Sequence, residues 1–328
     1  MKKLSGKILS AAIAVTAFSL VACSAETPES GFDDPLPWGA YEKLEYDVAI
    51  YDTSKSAAED KREKIAGGEM SYTLQEGIEG GYTKLDFEFS VKYDDDKDRL
   101  GKDAGCVDTI SCSTLFEPKS LNTKSMTREV KLSTRKGVEN LSYKIDADYF
   151  GSHRATLLYT DKLNRAPATL GLPGDPCHDN ETMFFVARAQ GVGDGSSTFF
   201  RMVNLFDSFL KNEVVQYGIS VSGSGGGNID LGDWVKDFGI EAVTDENTQA
   251  VSYPVPCISA SMMINADDHG PAYYVKYARV PFKSGAVEHK KLPVRIEYAQ
   301  YSGSNNYRQN VYTLKSCTLD SPAQSVGE

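Results

Sequence analysis

Alternation of apolar and polar residues is the feature that most constrains how this chain can fold. Residues 44–50, with the sequence LEYDVAI, carry an apolar side chain at every second position. Successive side chains of a β-strand point to opposite faces of a sheet, so this period of two predicts a strand with one buried face. The other strands predicted in the first two thirds of the chain are residues 70–74, 85–91, 130–132, 141–145, 156–160 and 214–221.

The last hundred residues show the most regular pattern. Four strands are predicted there, at residues 258–264, 273–280, 294–301 and 307–314. The sequence Ser-Gly-Ser-Asn-Asn at 302–306 has the length of a hairpin turn. These strands predict an antiparallel meander with one packed face and one face in water.

Two earlier hairpins are predicted from paired strands with a turn sequence between them. Strands 70–74 and 85–91 are separated by a segment containing Gly80-Gly81. Strands 130–132 and 141–145 are joined through Arg135-Lys136-Gly137. With 18 tyrosines and few histidines, the composition also favours a mainly β protein.

Helices are expected in few places. Residues 183–187 and 200–210 are predicted to be helical, the second because its apolar residues follow the i, i+3, i+4 spacing of a helix face. A short helix is also expected within 228–239, around Trp234.

The remaining internal segments are expected to be irregular. Residues 53–68 predict a loop or a short helix, residues 94–112 a long loop, and residues 161–182 an irregular crossing. The run SGSGGGN at 222–228 lacks the Gly-Lys-Ser/Thr ending of a phosphate-binding loop, so we expect a flexible turn there.

The start of the chain has the organisation of an export signal. Lys2, Lys3 and Lys7 precede an uncharged apolar run at 8–22, which is short for a membrane span. The run ends in Leu-Val-Ala-Cys at 20–23, which resembles the lipobox of bacterial lipoprotein precursors. The resemblance implies that residues 1–22 are removed and that Cys23 is acylated. The alternative is an ordinary secretory signal with a cysteine at this position by chance.

This resemblance gives expectations for localisation and domain organisation. Lipidated Cys23 would anchor the protein in the cell envelope. With Ser24 after it, the anchor resembles that of outer-membrane lipoproteins if the host has two membranes; otherwise the protein would lie on the outer face of the cell membrane. Residues 23–37, rich in proline and acids, predict a flexible tether. Residues 38–318 are expected to form one β-rich domain, with a division into two sub-halves near 161–198 as the alternative, and residues 319–328 a disordered tail.

Charge and cysteine content agree with an exported protein. Removing residues 1–22 takes away three lysines, so the formal charge falls from −11 to −14, and this acidity argues against nucleic-acid binding. Outside the cytoplasm cysteines can form disulfides. The pair Cys106 and Cys112 encloses five residues, and one further pair could form among Cys177, Cys257 and Cys317, with one thiol left over.

Acidic clusters give weak candidates for metal binding. Asp94, Asp96 and Asp98 have the spacing of the first ligands of a calcium loop, but Gly105 occupies the position where that loop needs Glu. A second candidate is Asp267 with His269. A solvated acidic loop is the better interpretation of the first cluster and an exposed polar turn that of the second, so no cofactor is predicted. No hydrolase motif is present in the sequence, although two distant carboxylates could still form a glycosidase pair.

Four short segments resemble uncharacterised exported domains of the periplasmic lipoprotein-carrier type. They are residues 44–50, FFVAR at 184–188, LPVRIEY at 292–298 and VYTL at 311–314. The resemblance spans residues 41–316, although internal cysteines and the 161–182 crossing are not features of that family. It implies an antiparallel, strongly curved sheet (a half-barrel or open roll) around a few short helices, with an apolar concavity and no catalytic residues.

The expected function is therefore non-enzymatic binding of an apolar ligand, an acyl chain or an envelope partner. A structural or adhesion lipoprotein and a carbohydrate-directed hydrolase are the alternatives.

Overall fold

The computed structural model describes residues 36–53, 62–78, 80–135, 138–160, 166–174, 177–265, 272–302 and 306–320. The chain from residue 32 onward forms one compact unit. Cys23 and its lipobox, the tether up to residue 35, and residues 321–328 lie outside the described residues.

The described part of the chain is built mainly of strands. In order they are β1 (Tyr41–Asp52), β2 (Glu63–Ile78), β3 (Tyr82–Tyr93), β4 (Val107–Phe116), β5 (Thr123–Arg135), β6 (Val138–Asp148), β7 (Arg154–Tyr159), β8 (Ala168–Gly171), β9 (His178–Asp179), β10 (Ser197–Val203), β11 (Gln216–Asp230), β12 (Val243–Thr244), β13 (Val251–Ser252), β14 (Pro254–Asn265), β15 (Ala272–Ala278), β16 (Phe282–Ser284), β17 (Val287–His289), β18 (Pro293–Ser302) and β19 (Asn306–Leu319).

Helices in the described residues are short. They are α1 (Lys97–Leu100), α2 (Met183–Ala189) and α3 (Leu205–Lys211), with 3₁₀ segments at Gly101–Asp103, Asn180–Thr182 and Asp233–Phe238. None of these helices is long and apolar enough to cross a membrane.

Fifteen strands form one sheet, in the order β8-β7-β6-β5-β4-β3-β2-β1-β19-β18-β15-β14-β11-β10-β9. Neighbouring strands in it are antiparallel, except for β9 and β10, which are parallel. The sheet is open, because β8 and β9 end it without pairing to each other. The predicted fold class, a mainly β protein with a curved antiparallel sheet and a few short helices, is confirmed.

Curvature is visible in a ring contact between strands that are not neighbours. Phe89 on β3 and Tyr312 on β19 have β2 and β1 between them, yet their ring centroids are 6.2 Å apart. Three strand spacings in a flat sheet would separate them by ~14 Å. Gly68 on β2 lies inside this bend, where a Cβ would be 1.9 Å from the Ser90 carbonyl oxygen. The absence of a side chain at Gly68 therefore permits the tight curl.

The core lies on the concave side of the sheet and is completed by α2. All seven residues of α2 are buried. The Phe185 ring contacts the Trp38 ring edge-on at 6.0 Å and the Tyr72 ring at 5.5 Å, while the Tyr277 hydroxyl donates to the Phe184 carbonyl oxygen at 3.1 Å. Burying one such phenylalanine contributes ~1.5–3 kcal/mol. The helix therefore joins the two arms of the curved sheet through aromatic packing.

Most predicted strands are confirmed. The hairpin of β2 and β3 and that of β5 and β6 form as expected, although Lys136 and Gly137 in the second turn lie outside the described residues. The meander of β14, β15, β18 and β19 and the helix α2 also agree with the predictions.

Several segments predicted to be irregular are strands instead. β2 begins at Glu63, within the segment expected to be a loop or helix, and β4 begins at Val107, within the expected long loop. β8 and β9 lie within the expected crossing at 161–182. Residues 200–203 belong to β10, and the helix predicted there begins only at Leu205. Each of these segments is hydrogen-bonded to another strand of the sheet, β8 to β7 and β10 to β11 for example, and this pairing is not visible in the local alternation.

The glycine-rich run at 222–228 is not a turn, because it lies inside the 15-residue strand β11. A Cβ on Gly223 would be 2.1 Å from the Gly193 carbonyl oxygen, and one on Gly226 would be 2.7 Å from the Ser259 amide nitrogen. The pairing with β14 is interrupted by a bulge between Gly225 and Asn228. These glycines therefore permit close backbone packing within the sheet.

Residues at both predicted boundaries contact the folded body. Leu36 and Pro37, in the segment expected to be a tether, pack on the body, and Leu319, in the segment expected to be a tail, is buried in β19. Residues on either side of the 161–198 segment belong to the same sheet.

Candidate functional site

A recess on the concave face is lined by side chains that keep partial contact with solvent. We define the recess by Phe89, Ile110, Tyr273, Tyr298 and Tyr312, which are half-buried. The strand register places all five on the concave side. Most inward-facing neighbours on the same strands are buried in the core. These five positions therefore mark where the concave face is open.

Ring contacts occur in two groups around the recess. Tyr273 on β15 stacks on Tyr298 of β18 at a centroid distance of 4.6 Å. Tyr273 also meets Phe184 of α2 edge-on at 5.5 Å. In the second group, the ring centroids of Phe89 and Tyr312 are 6.2 Å apart. Aromatic side chains therefore lie on both sides of the recess.

The tyrosine hydroxyls give this apolar lining a polar component. Burial raises the pKa of Tyr273 and of Tyr312 well above the usual value, so both phenols stay neutral. The Asn310 amide donates to the Tyr312 hydroxyl oxygen at 3.3 Å. A neutral surface with hydroxyl groups suits a ligand that is mostly apolar and has some polar atoms.

One side of the concave face is held by an ion pair between distant parts of the chain. Arg308 of β19 bonds to Asp103 in the 3₁₀ segment after α1 at 2.5 Å, and to the Tyr93 hydroxyl at 3.2 Å. The guanidinium also lies 5.2 Å from the Tyr93 ring centroid. This contact fixes the α1 region to the end of the strand that carries Tyr312.

A second ion pair lies deeper on the concave face. Arg128 of β5 contacts Glu181 at 2.6 Å, with the two side chains 18% and 9% exposed. Arg128 is paired with Cys112 in the register of β4 and β5. The Glu181 charge raises and the Arg128 charge lowers the pKa of Tyr273, although burial is the larger effect. The ion pair is therefore electrostatically coupled to the recess.

Next to this pair is Asp179, a carboxyl group with no exposed surface. Burial, followed by the charge of Glu181, raises the pKa of Asp179 to about 7. Its oxygens accept hydrogen bonds from the Tyr149 hydroxyl at 3.1 Å and the Glu181 amide at 3.2 Å. Asp179 and Glu181 adjoin each other, but Asp179 cannot touch a carbohydrate. These two acids therefore do not form the open carboxylate pair that a glycosidase needs.

A groove of about 880 Å³ lies on the other face of β1–β6. Its outward-facing lining is polar, with hydroxyl groups such as Ser71 and Ser111 among lysines and carboxylates such as Lys131 and Glu129. Lys131 and Glu129 are themselves paired at 2.6 Å. We call this feature the outer groove. Phe87, Phe89 and Ile110, at inward-facing strand positions, also line it, so the outer groove and the recess share Phe89 and Ile110.

The predicted disulfides do not form among the described cysteines, which are Cys106, Cys112, Cys177, Cys257 and Cys317. Cys106 directly precedes β4 and Cys112 lies within it. An extended strand separates such residues by ~15–20 Å, whereas a disulfide needs Cα atoms within ~7 Å. Burial also raises the pKa of Cys112, and that of Cys257 to about 11, which disfavours the reactive thiolate.

The candidate metal residues are not brought together in the part that the structure describes. Asp94, Asp96 and Asp98 are exposed, and Asp96 accepts the amide of Asp98 at 3.1 Å as part of the local turn. Among the described residues no group of three or more metal-binding side chains is found. Asp267 and His269, like the lipidation candidate Cys23, lie outside the described residues.

Comparisons with known proteins were made for the whole chain. No protein-family model matches it, and no curated protein matches it. Among solved structures it is similar to a β-barrel-like protein of a domain of unknown function, DUF1849, from Brucella abortus. The two share 12% identity over 87% of this chain and 99% of that chain, with a TM-score of 0.48. Function is therefore argued from the residues of this chain.

Proposed function

We propose that the recess binds an amphiphilic ligand with an acyl or similar apolar chain, and that the protein acts without catalysis in the cell envelope. The observation that carries this proposal is the partial exposure of five aromatic and aliphatic side chains on a face where most apolar side chains are buried. Water contact with these rings is unfavourable. Each ligand methylene that replaces this water contributes ~0.8 kcal/mol.

Lipid attached at Cys23 would keep the recess close to a membrane, which is a source of such ligands. The acidic surface supports this arrangement, since it disfavours tight contact between the body and anionic headgroups. A body that is anchored by lipid but does not adhere to the headgroups is suited to receive an amphiphile.

Binding is tested by titrating a fluorescent fatty-acid analogue into the full-length chain carrying Cys23→Ser, which has no acyl chain of its own. We expect saturable binding. Ile110→Trp fills the recess from β4 and should weaken binding at least tenfold, or ~1.4 kcal/mol. Ser111→Trp, the next residue on the opposite and exposed face, is the matched control and should leave the Kd unchanged. Absence of saturable binding, or equal Kd values for the folded parent and Ile110→Trp, would contradict the proposal.

A second candidate, contact with an envelope protein, is favoured by a different surface. Phe199, Met263 and Tyr274 are 54%, 45% and 53% exposed. Phe199 pairs with Ser220, and Ser220 pairs with Met263. Tyr274 pairs with Ser261, which is two residues before Met263 on β14. Because paired residues share a face of the sheet, all three side chains lie on the same outward face. Several exposed apolar side chains on one face of neighbouring strands are typical of protein-binding surfaces.

This second candidate is tested by cross-linking in intact cells. Phe199→Ser combined with Tyr274→Ser should abolish a specific cross-linked product, while Ile110→Trp should retain it. Retention of the product by the double variant would contradict contact through this patch.

A further inference from the structure

Four buried or partly buried charged side chains join the two ends of the folded body. We call Glu42, Arg188, His289 and Asp320 the clasp. Arg188 of α2 makes a bidentate ion pair with Glu42 of β1, through Nη1 to Oε2 at 2.6 Å and Nη2 to Oε1 at 2.8 Å. Both side chains are fully buried. Breaking such a pair from one side leaves an uncompensated buried charge.

Arg188 also holds the segment that precedes β1. Its Nη2 donates to the Pro37 carbonyl oxygen at 2.8 Å, and its Nε donates to the Lys290 carbonyl oxygen at 2.7 Å. The guanidinium lies 5.4 Å from the centroid of the Trp38 ring, which is itself buried. Two backbone bonds hold the same segment, from the Lys290 amide to the Pro37 carbonyl oxygen at 2.7 Å and from the Glu76 amide to the Ala40 carbonyl oxygen at 2.9 Å. Arg188 therefore contributes one part of the contacts that dock residues 36–41 on the body.

His289 connects Glu42 to the other end of the chain. Its Nδ1 is 2.6 Å from Glu42 Oε1, and its Nε2 is 2.7 Å from Asp320 Oδ2. Ionised carboxylates only accept hydrogen bonds, so both ring nitrogens must donate and the ring must be a cation. The Gly39 N–H also points at Nδ1, at the longer distance of 3.4 Å; it can donate there only when Nδ1 carries no proton, so it competes with Glu42 for this nitrogen. The imidazolium therefore completes the contact between segment 36–41 and Asp320.

Asp320 closes the arrangement through the backbone. Its Oδ1 accepts the Tyr41 amide at 3.1 Å, and its own amide donates to the Tyr41 carbonyl oxygen at 2.9 Å. Nearby, the Ser284 hydroxyl donates to the Leu319 carbonyl oxygen at 3.0 Å. The end of β19 and the start of β1 are therefore held together beside His289.

The other ionisable groups around His289 favour its protonated form. Burial alone lowers the pKa of His289, but the hydrogen bonds and charges of Glu42 and then Asp320 outweigh it and raise the pKa. Arg188 keeps Glu42 ionised, so the pKa of Glu42 is lowered although burial raises it. Glu76 is a further carboxyl group near the clasp: burial raises its pKa, a hydrogen bond with the Trp38 side chain lowers it, and the charges of Asp320 and Glu42 raise it.

The remaining neighbours do not compete for the ring. The Cys317 thiol lies close enough to Glu42 to be affected by its charge, and burial raises the pKa of that thiol. Lys290, next to His289, uses its backbone carbonyl in the clasp and has an exposed side chain. Glu288 and Lys283 face each other across β16 and β17 and are exposed.

We propose that the clasp is a proton-dependent latch: with His289 protonated it docks residues 36–41 on the body, and loss of that proton releases them. A neutral ring has one nitrogen without a proton, and that nitrogen would face a carboxylate oxygen at hydrogen-bond distance. Because the pKa of His289 is raised in the folded protein, the stabilisation is fully present below the unfolded value of ~6.5. It is lost as the pH rises through the folded value.

Release would change the reach of the chain that precedes the body. Residues 36–41 would add their length to the predicted tether, up to ~20 Å when extended. A body carried by the lipid at Cys23 would then move over a larger distance from the membrane at alkaline pH than at neutral pH.

The fluorescence emission of Trp38 reports whether residues 36–41 are docked on the body. The chain has two tryptophans, so Trp234→Phe in the full-length chain with Cys23→Ser leaves Trp38 as the single fluorophore. We expect its emission to shift to longer wavelength as the pH rises from 6 to 9.5, with an unchanged far-UV circular dichroism spectrum. This window ends below the usual tyrosine pKa of ~10.

Variants identify the titrating group. His289→Gln should show the long-wavelength emission already at pH 6 and no pH step. Asp320→Asn keeps an acceptor for the Tyr41 amide but removes one carboxylate, so the step should move to lower pH. His153→Asn is the control, because His153 is exposed and its φ of 50° suits asparagine; it should keep the parental step.

Three results would overturn the proposal: a Trp38 emission that does not change between pH 6 and 9.5, a step that persists in His289→Gln, or a step that does not move in Asp320→Asn. The Asp320→Asn measurement decides the matter even if His289→Gln does not fold.

Discussion

Asp179 is a buried carboxyl group that should control how stability depends on pH. Its pKa is about 7 in the folded protein because burial and Glu181 disfavour the charge, compared with ~3.9 in an unfolded chain. The folded state therefore binds more protons between these values. The free energy of unfolding should fall as the pH rises from about 4 to 7, by ~1.4 kcal/mol per unit from this group.

Asp179→Asn should flatten that dependence, because the amide accepts the Glu181 N–H without carrying a charge. The measurement is the urea midpoint at pH 5 and pH 7.5 for parent and variant. Asp237→Asn, at an exposed position, is the control and should keep the parental slope. An unchanged slope in Asp179→Asn would show that other groups set the pH dependence.

Removing one partner of the ion pair between Arg128 and Glu181 should destabilise the folded protein. Arg128→Met leaves the Glu181 carboxylate, 9% exposed, without its cation, at an expected cost of ~3–5 kcal/mol. Arg128→Met combined with Glu181→Gln should cost less than the single change, because no charge is left behind. Denaturant unfolding of both variants checks this, and a double variant less stable than Arg128→Met would contradict it.

Charged residues at inward positions are a signal that the sequence does contain. Glu42 precedes Leu44 and Tyr46 in the apolar row of β1, and Arg128 lies between Met126 and Val130 in β5. Such residues need a buried partner. Their partners, Arg188 and Glu181, are far away in the sequence, so the alternation marks one member of each pair and cannot identify the other.

At the scale of elements, strand β11 shows why local composition was misleading. Gly226 lacks a positive φ, yet a Cβ there would be 2.7 Å from the Ser259 amide nitrogen. Gly225, beside it, has open space at the Cβ position. The glycine-rich run is typical of a turn in sequence, but glycine is required at position 226 because the backbone of the neighbouring strand β14 lies too close for a side chain.

Gly226→Ala should therefore destabilise the protein by ~1–3 kcal/mol, since the backbone of β14 must move to accept the methyl group. Gly225→Ala, with nothing within 4 Å, is the matched control and should be close to neutral. Thermal midpoints of the two variants test this difference. Equal midpoints would mean that the strands adjust without cost.

For the whole molecule, the sequence predicted the class of fold better than its site. Strands with strict alternation, such as β1 and β18, and the order of the last meander followed from the period of two. The pairing of β1 with β19, which brings the two ends together, did not, because their residues are about 270 positions apart. The recess depends on that pairing, since Tyr312 meets Phe89 only in the curled sheet.

The final prediction concerns where the whole protein is held. Acylation of Cys23 with two or more chains should place the protein in the membrane fraction, because each buried methylene contributes ~0.8 kcal/mol and two chains give stable anchoring. Detergent should release it, and high salt should not, because an acidic body makes no electrostatic contribution. Cys23→Ser should move the protein to the soluble fraction, and the mass of the wild-type N-terminal peptide should begin at acylated Cys23. Sedimentation of Cys23→Ser with the membranes, when its N-terminal peptide shows that residues 1–22 are removed, would instead assign attachment to the body itself, for which the exposed Phe199 and Tyr274 are the first residues to replace.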